Sequence, residues 1–216
     1  PTLAALTAKK DVALASKELL VLAGKFITAT ATQSGAKLLP IDSEHNAIHQ
    51  LVREKHKTEV ARLVLTASGG AFRETPIAQL SQVTPQQALQ HPNWNMGPKV
   101  TVDSATMANK GLELIEANWL FNIPIDRVDV VIHPQSIIHS MVVCRDESVL
   151  AQMGTPDMRV PIAYGLFFPE RLECGASRLD FMALKALTFE PADALRFPGL
   201  PLAYQALAEP QGSCAV

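Results

Sequence analysis

The sequence predicts an α/β fold, an α+β layer in which a mixed β-sheet packs against helices. In the first half of the chain, segments with helical character alternate with short apolar strands. In the second half, several strands follow one another, two of them separated only by a polar turn. The chain has 216 residues, of which 48 % are hydrophobic, so it can bury a sizeable core.

The composition excludes several classes of protein. A net charge of −2 and the lack of a basic run argue against general nucleic-acid binding. No apolar segment reaches the roughly 20 residues that a membrane-spanning helix needs, and the start of the chain does not resemble a signal peptide. Three widely spaced cysteines, Cys144, Cys174 and Cys214, predict reduced thiols in a cytoplasmic protein. Because the chain opens within a helical pattern and stops without a closing element, we expect it to be a piece of a longer protein.

The elements of the first half follow from their apolar patterns and turn residues. We predict helices over residues 1–10, 17–24 and 42–55, and strands over residues 11–15, 37–41 and 61–67. Gly24 is expected to end the second helix, because glycine commonly follows a helix, and residues 26–30 remain ambiguous. The strand over 61–67 is the clearest, since it is a continuous apolar run that leads directly into a glycine pair.

Proline and glycine divide the second half of the chain. Pro76 and Pro85 each begin a helical turn, because proline suits the first position of a helix, and residues 91–98 predict a loop around Trp94. After a central helix we predict strands over 128–132, 137–143 and 148–153, the last two paired across the turn 145–147. A helix over 156–166 that contains Pro161 and an irregular connector with a late helix over 202–208 complete the chain.

The central stretch, residues 102–116, predicts a helix with Asp103 or Ser104 as its N-cap. At 100° per residue, Asn109, Lys110 and Glu113 share one narrow face of such a helix. Together with the Ser104 hydroxyl at a helix N-terminus, they form a plausible phosphate cradle with a carboxylate for a metal or an acid–base step. The alternative is a surface helix with a Lys110–Glu113 ion pair.

Two carboxylates at a strand-to-helix junction, Asp42 and Glu44, could converge on Mg²⁺ or Mn²⁺, with Glu113 as a third oxygen donor. The alternative is helix capping by Asp42 or Ser43, with Glu44 favourable in the first turn. His45 and His49 have the i, i+4 spacing of a zinc pair, but the glutamate precedes the first histidine and does not follow it as in zincins.

Four further groups are weaker signals. Ser68-Gly69-Gly70 follows a buried strand and permits close approach of the backbone to an anion, or is a plain turn. Lys17 beside Glu18 could contact a ligand or form an ion pair at the start of a helix. The loop from His91 to Pro98 could close over a ligand, or bury Trp94 in the core. His133 and His139 are more often structural in such contexts.

Six segments of the chain together carry a resemblance to a known family. They are LPIDSEHNAI at 39–48, TASGGAFR at 66–73, HPNWNMG at 91–97, VDSATMANKGLE at 102–113, HPQSIIHSM at 133–141 and GTPDMR at 154–159. In this order they resemble the 1-deoxy-D-xylulose 5-phosphate reductoisomerase family. The resemblance extends from Pro1 to about Phe197. It implies a metal- and NADPH-dependent rearrangement and reduction of 1-deoxy-D-xylulose 5-phosphate to 2-C-methyl-D-erythritol 4-phosphate, in the non-mevalonate route of isoprenoid biosynthesis.

The resemblance also implies a role for individual residues. The metal, Mn²⁺, Mg²⁺ or Co²⁺, would be bound by Asp42, Glu44 and Glu113, and the catalytic residues would be Glu44, Lys17 and His91. Substrate would be held by these three residues and by Ser43, Ser68, Trp94, Met96, Ser104, Asn109, Lys110 and Glu113. The nicotinamide cofactor would lie against Ser16, Glu18, Gly97 and Met158. The loop 91–97 would be the lid of the site.

The chain departs from the family in several places. The family usually has Asn where Ser16 stands, and often Phe at His49 and Pro at Ala71. Its opening Rossmann portion with a glycine-rich turn has no counterpart here, nor does its C-terminal helical domain. We therefore expect residues 1–41 to be the end of the NADPH domain, 42–178 the catalytic domain and 179–216 a connector, with turnover by the chain alone doubtful. The resemblance implies a bacterial, cytoplasmic homodimer formed through the sheet at 137–153; the alternative function is a divergent NADPH oxidoreductase or sugar-phosphate-binding protein on the same scaffold.

Overall fold

The computed structural model describes residues 1–52 and 58–209 and contains two β-sheets. The smaller sheet is a parallel pair, β1 (Val12–Leu14) and β2 (Leu38–Pro40). The larger sheet contains β3 (Val60–Ala67), β4 (Val128–Ile132), β5 (Ile138–Cys144), β6 (Val149–Met153) and β7 (Glu190–Pro191). Its strand order is β6-β5-β3-β4-β7, and only the β3–β4 pair is parallel. The predicted mixed sheet is thus confirmed.

Eight α-helices surround these sheets within the described ranges. They are α1 (Thr2–Thr7), α2 (Glu18–Ser34), α3 (Ser43–Leu51), α4 (Pro85–Ala88), α5 (Pro98–Ala105), α6 (Ala108–Phe121), α7 (Arg159–Phe167) and α8 (Gly199–Ala208). Short 3₁₀ helices cover Ile77–Gln82 and Ile125–Arg127. Over the residues that the structure describes, no helix is both long and apolar enough to cross a bilayer.

The main core lies between the larger sheet and the helices α6 and α8. Leu63 and Leu65 of β3 pack in one cluster with Leu114 of α6 and with Phe197 and Leu200 beside and within α8. None of the residues of β3 is exposed, and those from Leu63 to Ala67 are all buried, as expected of a strand in the middle of a covered sheet. This core fixes α6 against β3, and α6 carries the polar face predicted from the sequence.

A second core joins α1, β1 and α2, and here the predicted helix boundary was wrong. α2 has a kink at Ala23 (φ −143°, ψ 25°), next to the predicted end, but continues past Gly24 to Ser34 and ends at Gly35, which has the left-handed φ of 75° typical of a helix C-cap. Gly24 lies inside the helix, where a Cβ would overlap the ring of Trp119 on α6. The absence of a side chain at Gly24 therefore serves close helix packing, and the ambiguous residues 26–30 are helical.

The central stretch also differs from the prediction, because it forms two helices and not one. α5 ends at Ala105 and α6 begins at Ala108, with Met107 between them at a φ of 59°. Asp103 and Ser104 therefore lie in the last turn of α5, and the predicted N-cap role of either residue was wrong. Met107 is buried in the main core, so its packing stabilises a backbone conformation that its residue type disfavours.

Most other elements were predicted within a few residues. The β5–β6 hairpin forms across residues 145–147, and the turns begun by Pro76 and Pro85 both occur. α3 ends at Leu51, and residues 53–57 of the longer predicted helix lie outside the described residues. α8 starts at Gly199, three residues before the predicted late helix.

Candidate metal and anion site

The three predicted acidic residues converge from two helices. Asp42 follows β2 and is the N-cap of α3, Glu44 lies in the first turn of α3, and Glu113 lies on α6. One carboxylate oxygen from each residue lies within 4.8 Å of those of the other two. Three hard oxygen donors at this spacing suit Mg²⁺ or Mn²⁺, which retain water in the remaining positions. Asp42 also accepts a hydrogen bond from the backbone N–H of Ser43 at 3.1 Å, so the capping alternative holds beside the cluster.

Two buried lysines lie against these carboxylates. Lys17 Nζ forms an ion pair with Asp42 and lies 3.0 Å from Glu113 Oε1. Lys110 Nζ lies 2.6 Å from Glu44 Oε1 and forms an ion pair with Glu113. Lys110 is 4 % exposed and Glu113 is 0 % exposed, so the alternative of a surface helix is excluded. Lys17 contacts acids distant in sequence, and its neighbour Glu18 instead pairs with Lys99 at 2.6 Å.

Burial and charge act in opposite directions on the pKa values of this cluster. Burial favours neutral Glu44, but the ammonium groups of Lys110 and Lys17 lower the pKa of Glu44 to about 2. Burial alone would lower the pKa of Lys17, but Glu113, Asp42 and Glu44 raise it above its ordinary value. Burial and the neighbouring Glu44 raise the pKa of Glu113. The lysines therefore remain charged, and with all five groups ionised the three carboxylates and two ammonium groups carry a net charge of −1.

The Ser68-Gly69-Gly70 turn lies at the carboxyl end of β3, beside the end of α5. Gly69 and Gly70 have φ values of 85° and 65°, which glycine adopts without strain. A Cβ on Gly70 would overlap the carbonyl oxygen of Ser104, so glycine is also needed for the close approach of the two segments. The N–H of Gly70 donates to Ser68 Oγ at 3.1 Å.

His91 connects the predicted lid to this turn. The backbone N–H groups of Asn93 and Trp94 both donate to His91 Nδ1, at 3.2 and 2.9 Å. A ring nitrogen that accepts is unprotonated, so the proton of the neutral ring is on Nε2, which lies 2.9 Å from Ser68 Oγ and donates to it. Burial lowers the pKa of His91, which favours this neutral form. The hydroxyl proton of Ser68 is then available to an anion.

These groups line one cavity of about 270 Å³. Of the predicted site residues, the cavity is lined by Lys17, Asp42, Ser43, Glu44, Ser68, His91, Trp94, Met96, Ser104, Asn109, Lys110, Glu113 and Met158. Asn109 accepts from Lys17 at 2.8 Å and donates to Glu113, so it faces the carboxylates, as Lys110 does. The residues predicted to hold phosphate thus all line the cavity, namely Ser68, Ser104, Asn109 and Lys110. The Asn109 amide and the Lys110 ammonium are, however, bonded to the acidic cluster.

Three of the predicted cofactor residues lie outside the lining of that cavity. Ser16 donates to Glu18 at 3.0 Å, and the two form a small polar group at the start of α2. Gly97 is the N-cap of α5, with no atom within 4 Å of the position of a Cβ. Met158 does line the cavity and is partly exposed.

Sequence reasoning missed several residues of the cavity wall. Ser136 lines the cavity and accepts from Asn93 Nδ2 at 2.9 Å, and the ring of His139 lies 6.2 Å from that of Trp94. His139 was expected to be structural; it is buried, but it lines the cavity. The resemblance of segment 133–141 was the one signal for both residues. The lid therefore contacts the start of β5 as well as the Ser68-Gly69-Gly70 turn, which is called the anion turn below.

His45 and His49, the possible zinc pair, have separate partners. His49 Nδ1 lies 2.9 Å from the hydroxyl of Tyr164, whereas His45 Nε2 lies 2.8 Å from the backbone oxygen of Glu113. Burial lowers the pKa of His45 to about 4. Sequence reasoning did not single out Glu116, whose Oε2 lies 3.3 Å from His45 Nδ1. Burial together with Asp42 raises the pKa of Glu116 well above the ordinary value.

Comparison with known proteins gives one consistent family. The model described as 1-deoxy-D-xylulose 5-phosphate reductoisomerase C-terminal domain matches residues 38–121, and that described as DXP reductoisomerase C-terminal domain matches residues 153–216. Reductoisomerases of this name from Ralstonia nicotianae and Chlorobium phaeovibrioides are 58 % and 56 % identical over 210 and 207 residues. These alignments cover 96 % of the chain but only 53 % and 54 % of the relatives, so the chain spans about half of their length.

Solved structures give the same result. The reductoisomerase from Zymomonas mobilis in complex with NADPH has a TM-score of 0.90 and 50 % identity, over 96 % of this chain and 53 % of that one. A DOX-P reductoisomerase in complex with NADPH, fosmidomycin and magnesium has a TM-score of 0.94 and 47 % identity, over 99 % of this chain and 55 % of that one.

Proposed function

The chain belongs to the 1-deoxy-D-xylulose 5-phosphate reductoisomerase family, and we propose that it forms the metal- and substrate-binding centre of such an enzyme. The reaction would convert 1-deoxy-D-xylulose 5-phosphate to 2-C-methyl-D-erythritol 4-phosphate with NADPH, in non-mevalonate isoprenoid biosynthesis. The observation that carries this proposal is the convergence of Asp42, Glu44 and Glu113 in a cavity that also holds an anion turn.

The acidic cluster fits a divalent cation by its donor chemistry. All three donors are carboxylates, and Asp42 is accessible from the cavity while Glu113 is fully buried. When bound, Mg²⁺, Mn²⁺ or Co²⁺ supplies Lewis-acid polarisation of the substrate's hydroxyl and carbonyl oxygens. The related reductoisomerase structure in complex with NADPH, fosmidomycin and magnesium supports the same assignment.

The chain's own side chains would bind and orient the substrate. Lys17 Nζ reaches two of the three carboxylates, so it is well placed to donate to a substrate oxygen that lies against the cation. Glu44 stays ionised because its pKa is about 2, and can accept a proton from a substrate hydroxyl only transiently. Ser43 donates to Glu44 at 2.6 Å and holds that carboxylate in position.

The phosphate would be held by the hydroxyl, amide and ammonium groups that line the same cavity. Ser68 offers a hydroxyl proton, because its oxygen already accepts from His91 and Gly70. Ser104, Asn109 and Lys110 line the same cavity and would supply the remaining hydrogen bonds and the positive charge. His91, Trp94 and Met96 would close over the substrate and exclude water, which strengthens charge interactions within the site.

The cofactor-binding residues and the domain division are proposed from the resemblance. NADPH would lie against Ser16, Glu18, Gly97 and Met158, near the starts of α2 and α5, which the Glu18–Lys99 ion pair connects. Residues 1–41 would end the NADPH domain, 42–178 would form the catalytic domain and 179–216 would lead toward a C-terminal domain. Most of the surface that binds NADPH would then be contributed by segments of the parent protein outside this chain.

We also propose a bacterial cytoplasmic homodimer that forms through the larger sheet. β6 is an edge strand of that sheet, and Val149 and Leu150 on it are exposed apolar residues. An exposed apolar edge strand is a ready surface for pairing with a second copy.

Cation binding to the 216-residue chain tests the proposed function. Titration with Mn²⁺, followed by the electron paramagnetic resonance signal of the free ion, is expected to give one saturable site. Glu113→Gln should weaken binding by a factor of ~10 or more, or ~1.4 kcal/mol, because a ligand loses its charge. Glu74→Gln, an exposed acid outside the cavity lining, should leave binding unchanged.

Two outcomes would contradict the proposal. Equal Mn²⁺ affinity of the unmodified chain and Glu113→Gln would exclude the carboxylate cluster as the metal site. Tight saturable binding of NADPH to the isolated chain would contradict the proposed division of the cofactor site. Assay of the full-length parent with 1-deoxy-D-xylulose 5-phosphate, NADPH and Mn²⁺ would separate a reductoisomerase from a sugar-phosphate-binding protein.

A further inference from the structure

A buried polar pair lies next to the acidic cluster and outside the cavity lining. His45 of α3 and Glu116 of α6 are both 0 % exposed. His45 Nδ1 lies 3.3 Å from Glu116 Oε2 and 3.9 Å from Asp42 Oδ2. Neither oxygen of Glu116 has a hydrogen-bond partner among the described residues, and the same is true of His45 Nδ1. A buried polar group without a partner is costly, so this arrangement needs an explanation.

The contact of the other ring nitrogen, Nε2, defines the tautomer of a neutral His45 ring. Nε2 lies 2.8 Å from the backbone oxygen of Glu113, and a carbonyl oxygen can only accept, so Nε2 carries a proton and donates it. In the neutral ring, Nδ1 then presents its lone pair to Glu116. One hydrogen on the Glu116 carboxyl, donated to Nδ1, satisfies both groups at once.

The position of this pair matters because the acidic cluster is shared between two helices. Asp42 and Glu44 belong to the start of α3, whereas Glu113 belongs to α6. His45 joins the two helices by a buried hydrogen bond to Glu113 itself, and Glu116 lies one turn further along α6. Groups that orient metal ligands in this way commonly affect metal affinity without touching the ion.

We propose that His45 and Glu116 are positioning residues, whose hydrogen bond from the Glu116 carboxyl to His45 Nδ1 holds the spacing of Asp42, Glu44 and Glu113. The proposal rests on the proposed function in one respect, namely that the acidic cluster binds a divalent cation. It assigns to Glu116 an uncharged, hydrogen-donating role, which distinguishes it from a fourth metal ligand. It also separates this group from a second cation site, although Asp42, His45 and Glu116 could offer three ligand atoms within 4.8 Å of one another.

Two substitutions of Glu116 separate hydrogen donation from charge. Glu116→Gln keeps the shape and an N–H donor but has no charge, and should leave Mn²⁺ affinity within ~3-fold of the unmodified chain. Glu116→Met keeps the volume without a donor and should weaken Mn²⁺ binding roughly 10- to 100-fold, as loss of a group that orients a ligand does. Both are measured by paramagnetic resonance titration of the 216-residue chain, with one Mn²⁺ bound per chain at saturation.

Leu114→Ala is the control for a general loss of stability. Leu114 lies on α6 next to Glu113 and packs in the main core, so its truncation should lower the melting temperature with little effect on Mn²⁺ affinity. Equal losses of affinity in Glu116→Gln and Glu116→Met would overturn the donor role. Unchanged affinity in Glu116→Met, or two Mn²⁺ per chain, would overturn the inference as well.

A second measurement needs no variant. Nitrogen-15 spectra of the chain labelled at histidine should show His45 with a protonated Nε2 and an unprotonated, hydrogen-bonded Nδ1. A proton resident on Nδ1 would overturn the inference even if Glu116→Met does not fold. If the unmodified chain binds no Mn²⁺, the proposed function fails and this inference fails with it, whereas normal binding with an unaffected Glu116→Met refutes this inference alone.

Discussion

Lys110→Met is expected to tighten the binding of a divalent cation, although it removes a residue of the candidate site. Lys110 Nζ lies among the same carboxylates that would bind the ion, 2.6 Å from Glu44 Oε1 and paired with Glu113. An ammonium group in this position competes with the cation for the carboxylate oxygens. Methionine has a similar volume and no charge, so the substitution removes the competitor and changes the packing little.

The geometry gives the size of the effect. Two unit charges 4 Å apart interact by about 4 kcal/mol at an effective dielectric constant of 20, so a divalent ion and a fixed ammonium would repel by roughly 8 kcal/mol. The flexible stem of Lys110 would let its ammonium move away from a bound cation, and such a movement would relieve most of the repulsion. We expect a net gain of ~1.4 kcal/mol or more, or at least about tenfold in the dissociation constant of Mn²⁺.

The same substitution should destabilise the cation-free chain. Loss of one partner from a buried ion pair costs about 3–5 kcal/mol, because a buried charge is left uncompensated. Mn²⁺ would restore the balance, since a ligand that binds only the folded state adds stability as its concentration exceeds the dissociation constant. The rise in melting temperature on addition of Mn²⁺ should therefore be larger for Lys110→Met than for the unmodified chain. Binding of inorganic phosphate, followed by phosphorus-31 resonance, should weaken in Lys110→Met.

Lys99→Met provides the matched control for this experiment. Lys99 is exposed and pairs with Glu18 and Asp103 at 2.6 and 2.8 Å, and none of the three residues lines the cavity. Its removal should change neither Mn²⁺ affinity nor phosphate binding. If Lys110→Met binds Mn²⁺ no more tightly than the unmodified chain, the ammonium holds the carboxylates in position and does not compete for them, and the reasoning is refuted.

Three further substitutions test other parts of the structure. Gly70→Ala should destabilise the chain by more than Gly35→Ala in denaturant titration. Both glycines have left-handed φ values, which cost ~1–2 kcal/mol with a side chain, but only a Cβ on Gly70 would also overlap a neighbouring carbonyl. Equal losses of stability would contradict the close approach of the two segments. His91→Phe removes the hydrogen bond to the anion turn and should weaken phosphate binding ~3- to 10-fold by phosphorus-31 resonance, as expected for one net hydrogen bond; unchanged binding would exclude this role. Leu150→Asp puts a charge on the exposed edge strand and should reduce the sedimenting mass from dimer to monomer, whereas equal masses for both chains would place the interface elsewhere.

The local sequence pattern was enough to predict which residues share a helix face and where the main strands lie. Asn109, Lys110 and Glu113 do share one side of α6, because the α-helical period alone determines their relative directions. β3 was evident as an apolar run because both of its faces are covered. These predictions depend only on residues that are near one another in sequence, which is why they needed no knowledge of the fold.

The errors have a common physical origin in tertiary packing. Met107 interrupts the central helix although no glycine or proline marks the break, since its side chain is buried in the main core. α2 kinks at Ala23 and then continues past Gly24, which was expected to end it and whose missing side chain leaves the space that Trp119 occupies. In both cases contacts with distant residues outweigh local propensities of roughly 1 kcal/mol.

The sequence also does not predict which charged side chains pair with one another. Lys17 stands next to Glu18, yet its ammonium binds Glu113, 96 residues away, and Asp42. A count of charged residues shows that such pairs are possible but not which of them form. The partners matter here, because a lysine bound to Glu18 would be a solvated surface group, whereas one bound to Glu113 is a buried cation within the cavity.

The histidines of α3 show where this limit affects function most. Spacing places His45 and His49 on one face of one helix, which made a zinc pair the only pattern worth weighing for them. The structure instead joins His45 to Glu113 on a second helix, and Glu116 becomes relevant only through that contact. A site formed by two helices depends on what keeps those helices in register, and such residues need no recognisable spacing from the ligands on the partner helix. In this chain the buried polar side chains without local partners are therefore the better guide to positioning residues than any motif in the sequence.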